Sequence, residues 1–245
     1  MAGLDAVLGS VVARNNARVR RHATDRTAPN PRDLAGCTWN DHLEAAHRAI
    51  RAEWDAFEAA GGRLPRIEEL IDEDQGNEGT WRAGLLVSRG RPATALARRF
   101  PHTVQALEAV PGLWSALWSV LEPGAELHEH VGPNGGMLRY HLGVDCGGDA
   151  ALRVGEVTVP YVDGRGILFD DTAPHAAWNH GPRRRVTLFL EVLRPVEGPA
   201  RWANAAVQRL IALDARYRGA PARADEWDRR ARTAATGDRA PGEPT

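Results

Sequence analysis

No lysine occurs anywhere in the 245 residues, so all 31 Lys-plus-Arg positions are arginine. Schiff-base, pyridoxal-phosphate and Walker-type phosphate chemistry all rely on lysine and are excluded. A bound carboxylate would have to be gripped by arginine, whose planar fork suits that task. Cysteine is scarce as well. Cys37 and Cys146 are too few for a disulfide framework or a zinc cluster, which is the pattern of a reduced intracellular protein. No stretch approaches the roughly 20 apolar residues that cross a bilayer. Residues 1–15 lack the basic leader and long apolar run of a signal peptide, so a cytoplasmic location is expected. With a net charge of −1, nothing electrostatic argues for nucleic acid or an acidic lipid.

What is present is enough for one sizeable core with a small helical appendage, since 43% of the residues are hydrophobic. Leu4, Val7, Leu8, Val11 and Val12 share one helical face, and Leu43, His47, Ile50, Trp54 and Phe57 share another. Between them Thr24 to Asp33, with Pro29 and Pro31, reads as a linker. The basic face of the first helix (Arg14, Arg18, Arg21) could touch a membrane or a partner, with a solvated face the favoured expectation. From Trp81 the period changes. Trp81–Ser88 reads as a short strand, and after a short helix come strand-like runs at Trp114–Leu121, Glu126–Val131, Leu138–Val144, Leu152–Val154, Val157–Val162, Gly166–Phe169, His175–Asn179 and Arg185–Leu193. Short strands so closely spaced, broken by Pro-Gly, Gly-Gly and Asp-Gly turns, predict a jelly roll or double-stranded β-helix. The helical period returns over Ala200–Tyr217, with Trp202, Ala206, Leu210, Leu213 and Tyr217 aligned. A polar, frayed tail is expected after Ala235. The predicted organisation is a helical region and linker over 1–80, a mainly β core over 81–198, and a C-terminal helix and tail over 199–245. The terminal helices are left to cover the sheet or to make a dimer contact.

Four of the nine histidines, His128, His130, His141 and His175, fall on or beside strands, and His180 follows the His175 strand. Residues of one parity share a strand face, so His128 and His130 are predicted to point the same way, as are Arg139 and His141, while His175 and His180 diverge. Inward imidazoles from facing strands make a natural transition-metal site.

The spacing of several elements carries more information. Pro123-Gly124, His130-Val131-Gly132-Pro133-Asn134, Leu138-Arg139-Tyr140-His141-Leu142-Gly143, Phe169-Asp170-Asp171 with His175 and Trp178, and then Arg185 follow in order. Together they resemble the aspartyl/asparaginyl β-hydroxylase family from about Trp81 to Pro195. The resemblance implies an Fe(II)- and 2-oxoglutarate-dependent dioxygenase that also consumes O2, with His130 and His175 matching the iron ligands. Most 2-oxoglutarate oxygenases add a carboxylate two residues after the first histidine, completing a facial triad. Here that position is Gly132, and Asp171 matches a carboxylate that steadies metal-bound water. Arg185 matches the arginine that pairs with the far carboxylate of 2-oxoglutarate, and Ser119 matches a hydroxyl sharing it. Arg139 and His141 match residues near the carboxylate beside the metal.

The substrate is less legible. At Met137 the family's animal enzyme has an arginine that helps to hold a substrate carboxylate. An amino acid, short peptide, carrier-linked or natural-product substrate is therefore expected. The bacterial lipid A hydroxylases, which share the Arg139-Tyr140-His141 core, supply an acyl-chain alternative. Two other classes compete. One is a cupin with His128, His130 and His175 as a three-histidine site that does not use 2-oxoglutarate. The other is a non-catalytic binding protein on the same fold.

Overall fold

The computed structural model describes residues 2–25, 27–71, 77–214 and 219–236. The first three helices are α1 (Ala2–His22), α2 (Thr38–Ala59) and the single turn α3 (Ile67–Leu70). Strands β1 (Asn77–Glu78), β2 (Trp81–Ser88) and β3 (Arg91–Pro92) precede a 3-10 turn and helix α4 (Pro101–Leu107). Then come β4 (Leu113–Leu121), β5 (Ala125–His130), β6 (Met137–Asp145), β7 (Ala150–Val154), β8 (Val157–Pro160), β9 (Gly166–Phe169), β10 (His175–Asn179) and β11 (Arg185–Leu193). Helices α5 (Ala200–Ile211) and α6 (Ala220–Thr236) follow. The expected tail past Thr236, and Tyr217, lie outside the described residues. No described helix is long and apolar enough to cross a membrane.

The strands form two antiparallel sheets, ordered β1-β5-β10-β7-β8 and β3-β2-β4-β11-β6-β9, which is the expected jelly roll with helices at both ends. The predicted strands all occur, with ends shifted by a residue or two where pairing continues past the apolar run. The main exception is Val157–Val162, which pairs only to Pro160.

Parity on the six-stranded sheet divides the labour. Even-numbered residues of β4, β6 and β11, among them Trp118, Tyr140, Leu142, Leu188 and Leu190, pack with Leu43, Ile50, Trp54 and Phe57 of α2 and with Phe100 in the main core. Trp54 and Trp118 stand 4.9 Å apart between ring centroids. The odd-numbered residues turn to the space between the sheets, and there Ser119, Arg139, His141 and Arg185 stand. The inner face of the other sheet supplies a smaller core of Leu152, Val154, Ala177 and their neighbours. With the apolar load carried by the helix-covered face, the inner face is free to carry polar groups.

The segment between α1 and α2 is docked rather than loose. Thr24 N–H donates to Pro195 O, and Arg32 N–H to Leu168 O. The Asn30 side chain exchanges two hydrogen bonds with the backbone of Asp170. Arg194 pairs with both Asp25 and Asp170, and Arg32 pairs with Asp25.

Candidate active site

His130 ends β5 and His175 opens β10, and the register pairs them directly across the two strands. Their ring centroids are 4.1 Å apart. His175 is buried, whereas His130 reaches the surface. Each ring is pinned by a carbonyl two residues earlier in the chain. Nδ1 of His130 lies 2.7 Å from His128 O, and Nδ1 of His175 lies 3.0 Å from Ala173 O. A carbonyl only accepts, so the proton sits on Nδ1 and both Nε2 lone pairs are left for a metal. Burial, reinforced by the His130 imidazole alongside, pushes the His175 pKa below its usual value. That holds it in the neutral, ligating form.

His128 does not join this pair. The ladder between β5 and β10 slips between His175 and Ala177, so that His130 opposes His175 while Leu127 opposes Ala177. Two residues on one strand therefore face one on the other. Such a bulge reverses side-chain parity and often re-aims a residue beside an active site. The prediction that His128 and His130 point the same way fails for that reason. His128 Nε2 instead lies 3.3 Å from Glu78 on the edge strand β1. Among the described residues no three His, Cys, Asp or Glu side chains are placed to hold a metal ion, so the three-histidine arrangement is not formed. His180 turns away to Glu126, at 2.6 Å.

Asp171 fills the space that Gly132 leaves. A Cβ at position 132 would come within 2.3 Å of Asp171 Oδ2 and 2.8 Å of Oδ1. Gly132 N–H also donates to Asp171 O at 2.7 Å. Asp171 is 3% exposed and accepts from Arg139 Nε at 2.9 Å, while its Oδ1 is buried without a hydrogen-bond partner among the described residues. Arg139 also pairs with Glu191, opposite it on β11, and lies over the Phe189 ring. Buried polar atoms are almost always satisfied, so an open carboxylate oxygen marks a place where a ligand or water belongs.

Deeper between the sheets, Arg185 is 1% exposed, and among the described residues no carboxylate forms an ion pair with it. Its Nη2 donates to Ser119 Oγ at 3.1 Å, its guanidinium lies 4.8 Å from the centre of the Tyr161 ring, and its Nε is unsatisfied. An uncompensated buried cation costs several kcal/mol, and an anionic ligand would relieve it. His141 is buried too. Its Nδ1 shares a 2.8 Å hydrogen bond with the Tyr161 hydroxyl, and its Nε2 has no partner among the described residues. Burial, with Arg185 beside it, pushes the His141 pKa well down, so the ring is neutral. Phe169 stands between His175 and His141, with centroids 5.4 and 5.2 Å away, and links the imidazole pair to the arginine end.

The structure thus gathers His130, His175, Asp171, Arg139, His141, Ser119 and Arg185 between the sheets. Met137 is buried at the first position of β6 opposite Leu193 and offers apolar surface rather than charge. Two residues that sequence reasoning did not single out also belong here. Trp81 Nε1 donates to Ser119 Oγ at 3.0 Å, which leaves that hydroxyl's own proton for a ligand. Tyr161 bridges His141 and Arg185. Its partners lie on other strands, so no local pattern marks it. Two surface hollows, one lined by Thr94, Arg98 and Asp225 and the other by Trp54, Glu58 and Arg184, include none of these residues. Burial pushes the Cys146 thiol up to about 12, which removes it as a nucleophile.

The family model for aspartyl/asparaginyl beta-hydroxylase matches residues 44–195. The chain is 32% identical over 183 residues to an ornithine lipid ester-linked acyl 2-hydroxylase from Rhizobium tropici, a match covering 73% of this chain and 65% of that protein. It is 27% identical over 161 residues to the human aspartyl/asparaginyl beta-hydroxylase, covering 62% of this chain and 21% of that protein. The chain therefore spans less than two thirds of either relative. Among solved structures, a cupin 2 conserved barrel domain protein from Salinispora arenicola aligns with a TM-score of 0.34 and 14% identity, over 60% of this chain and 96% of that one.

Proposed function

The chain belongs to the aspartyl/asparaginyl β-hydroxylase family, and from that premise we propose that it is an Fe(II)- and 2-oxoglutarate-dependent hydroxylase. One observation carries the reading. Two metal-ready imidazoles, with an open carboxylate oxygen on Asp171 in place of a side chain at 132, share the inter-sheet space with a buried arginine that has no counter-ion among the described residues. This donor set fits a first-row transition metal such as Fe(II), which would take its remaining ligands from a chelating keto acid and water.

When bound, Fe(II) with 2-oxoglutarate and O2 supplies oxidative decarboxylation of the keto acid coupled to hydroxylation of a C–H bond. The residues of this chain bind, orient and shield. His130 and His175 would hold the iron. Asp171, fixed by Arg139, would accept a hydrogen bond from water at the metal. Arg185 and the Ser119 hydroxyl would take the far carboxylate. A Tyr161 hydroxyl donating to His141 Nδ1 leaves the proton on Nε2, so His141 offers an N–H donor to the near carboxylate. Phe169, Phe189 and Tyr161 keep the deep end dry, which strengthens each of these contacts.

For the substrate, the acyl chain of a lipid takes precedence over the free amino acid, short peptide, carrier-linked or natural-product class. The Rhizobium tropici relative supports this, and so does the apolar rim of the site. Val131, directly after His130, is 56% exposed, and Val157, paired with Val154 next to His175, is 48% exposed.

The test is anaerobic titration with Fe(II) and 2-oxoglutarate, watching for the visible charge-transfer band of the chelated keto acid. The band is expected to vanish in His175→Ala and to persist in His128→Ala. Iron bound without any band would overturn the 2-oxoglutarate assignment.

A further inference from the structure

Helix α5 is built inside out. Asn204 and Gln208 are each 2% exposed, whereas Trp202 and Leu210 of the helix, and Leu213 in the turn that follows it, are 67%, 44% and 58% exposed. Positions 202, 206, 209 and 210 recur at helical spacing and form one outward stripe, which Leu213 extends past the helix end. The polar face is inside because it has a task. Asn204 bonds Asn15 of α1 and the Gly136 carbonyl, and Gln208 exchanges hydrogen bonds with the Asn134 side chain. From α1, Asn16 donates to Pro133 O and accepts from Gly135 N–H. The two helices therefore clamp residues 133–136, the loop that follows His130 and the exposed Val131.

The outward side of this pair is apolar and cationic. Helix α5 contains Arg201 and Arg209 and no acidic residue, with Asp214 just beyond it, and α1 carries Arg14, Arg18, Arg20 and Arg21 against the single acidic residue Asp5. Val7 of α1 is 59% exposed. The Arg201 guanidinium lies over the Trp202 ring at 4.7 Å. The overall charge of −1 conceals this segregation. A tryptophan and leucine stripe bordered by arginines is the pattern of a helix lying in a membrane interface. A second copy seated on the same face would bring arginine against arginine.

We propose that the outer face of α1 and α5 docks on an anionic lipid bilayer and sets the mouth at His130 and Val131 beside the acyl chains. The choice of partner rests on the lipid reading of the substrate; the face itself rests on the burial pattern and charge.

The experiment is flotation of the full chain with vesicles of phosphatidylcholine containing 30% phosphatidylglycerol, against phosphatidylcholine alone, at low and high salt. The expected result is binding to the anionic vesicles that weakens with salt and falls roughly ten-fold or more in Trp202→Ser/Leu213→Ser. Arg201→Gln/Arg209→Gln keeps the apolar stripe and should lose the preference for anionic vesicles, which tests the idea even where the first variant fails to fold. No vesicle binding, or binding unchanged in both variants, would overturn the proposal. So would a concentration-dependent dimer that these substitutions dissolve in the absence of any vesicle binding. Vesicle binding without hydroxylation of any lipid would leave the docking face standing and remove the lipid substrate. Lipid hydroxylated in detergent by a protein that ignores vesicles would do the reverse.

Discussion

Gly132→Ala is the smallest change that tests how the iron site is built. The backbone at 132 lies outside the left-handed region, so the added methyl meets no conformational penalty and only a steric one. It would stand 2.3 Å from Asp171 Oδ2, and an ordinary contact of 3.4 Å requires the carboxylate to retreat by 3.4 − 2.3 = 1.1 Å. Asp171 cannot yield freely, because its backbone carbonyl holds Gly132 N–H and its Oδ2 holds Arg139. Overpacking costs about 1–3 kcal/mol, and a strained hydrogen bond between charged groups adds about 1.5 kcal/mol. A loss of about 3 kcal/mol lowers the melting temperature of a chain this size by roughly 6–12 °C. Thermal melts of the wild type, Gly132→Ala, Asp171→Ala and the double variant form a cycle. With the carboxylate gone, the methyl has room, so a coupling of about 2 kcal/mol is expected. Additivity within about 0.5 kcal/mol would refute the claim that the two residues compete for one space. Gly132→Asp, which writes in the carboxylate of a three-ligand site, should be less stable than Gly132→Ala for the same reason.

Arg185→Ala should weaken 2-oxoglutarate binding about 30- to 5000-fold by calorimetry, the range for removing one partner of a buried charge pair. Arg185→Lys should weaken it about ten-fold or more, because a single ammonium cannot keep both the Ser119 bond and the stack on Tyr161. Unchanged affinity in either would exclude Arg185 as the anchor. Tyr161→Phe should raise the 2-oxoglutarate Kd by up to about ten-fold while iron content stays at the wild-type level; loss of iron instead would assign Tyr161 a structural role. Asp170 should tie stability to pH. Burial opposes its ionisation, but hydrogen bonds from Thr172 and the Arg194 guanidinium outweigh it and hold the carboxyl below its usual range. Its stabilisation is thus complete above the ordinary carboxylate pKa of about 4 and is lost as pH falls through the lower folded value. Asp170→Asn should melt earlier than wild type at pH 7, with the gap closing below about pH 4, and a gap independent of pH would refute the assignment.

Much of this molecule was legible in the chain because strand and helix periods are local. The alternation in β6 and β11 marks one face for the core and the other for Arg139, His141 and Arg185, and the structure keeps that division. The spacing at Leu43, Ile50, Trp54 and Phe57 likewise marks the face of α2 that is buried. His130 and His175 could be named as a pair from their place among the motifs, and the register sets them opposite each other.

Other features were decided only by tertiary structure. The slip in the β5–β10 ladder, which sends His128 to Glu78, depends on how two strands pair and leaves no mark on either one. Tyr161 and Trp81 reach the site from elements distant in sequence. The stripe on α5 has an ordinary helical period, but period alone does not say which side faces inward. That was settled by Asn15, Asn134 and the Gly136 carbonyl, which needed partners that Asn204 and Gln208 supply. An unsatisfied polar group in a buried loop costs about 1–3 kcal/mol, comparable to the gain from burying one large apolar side chain. The polar face was therefore drawn in and the apolar stripe left outside.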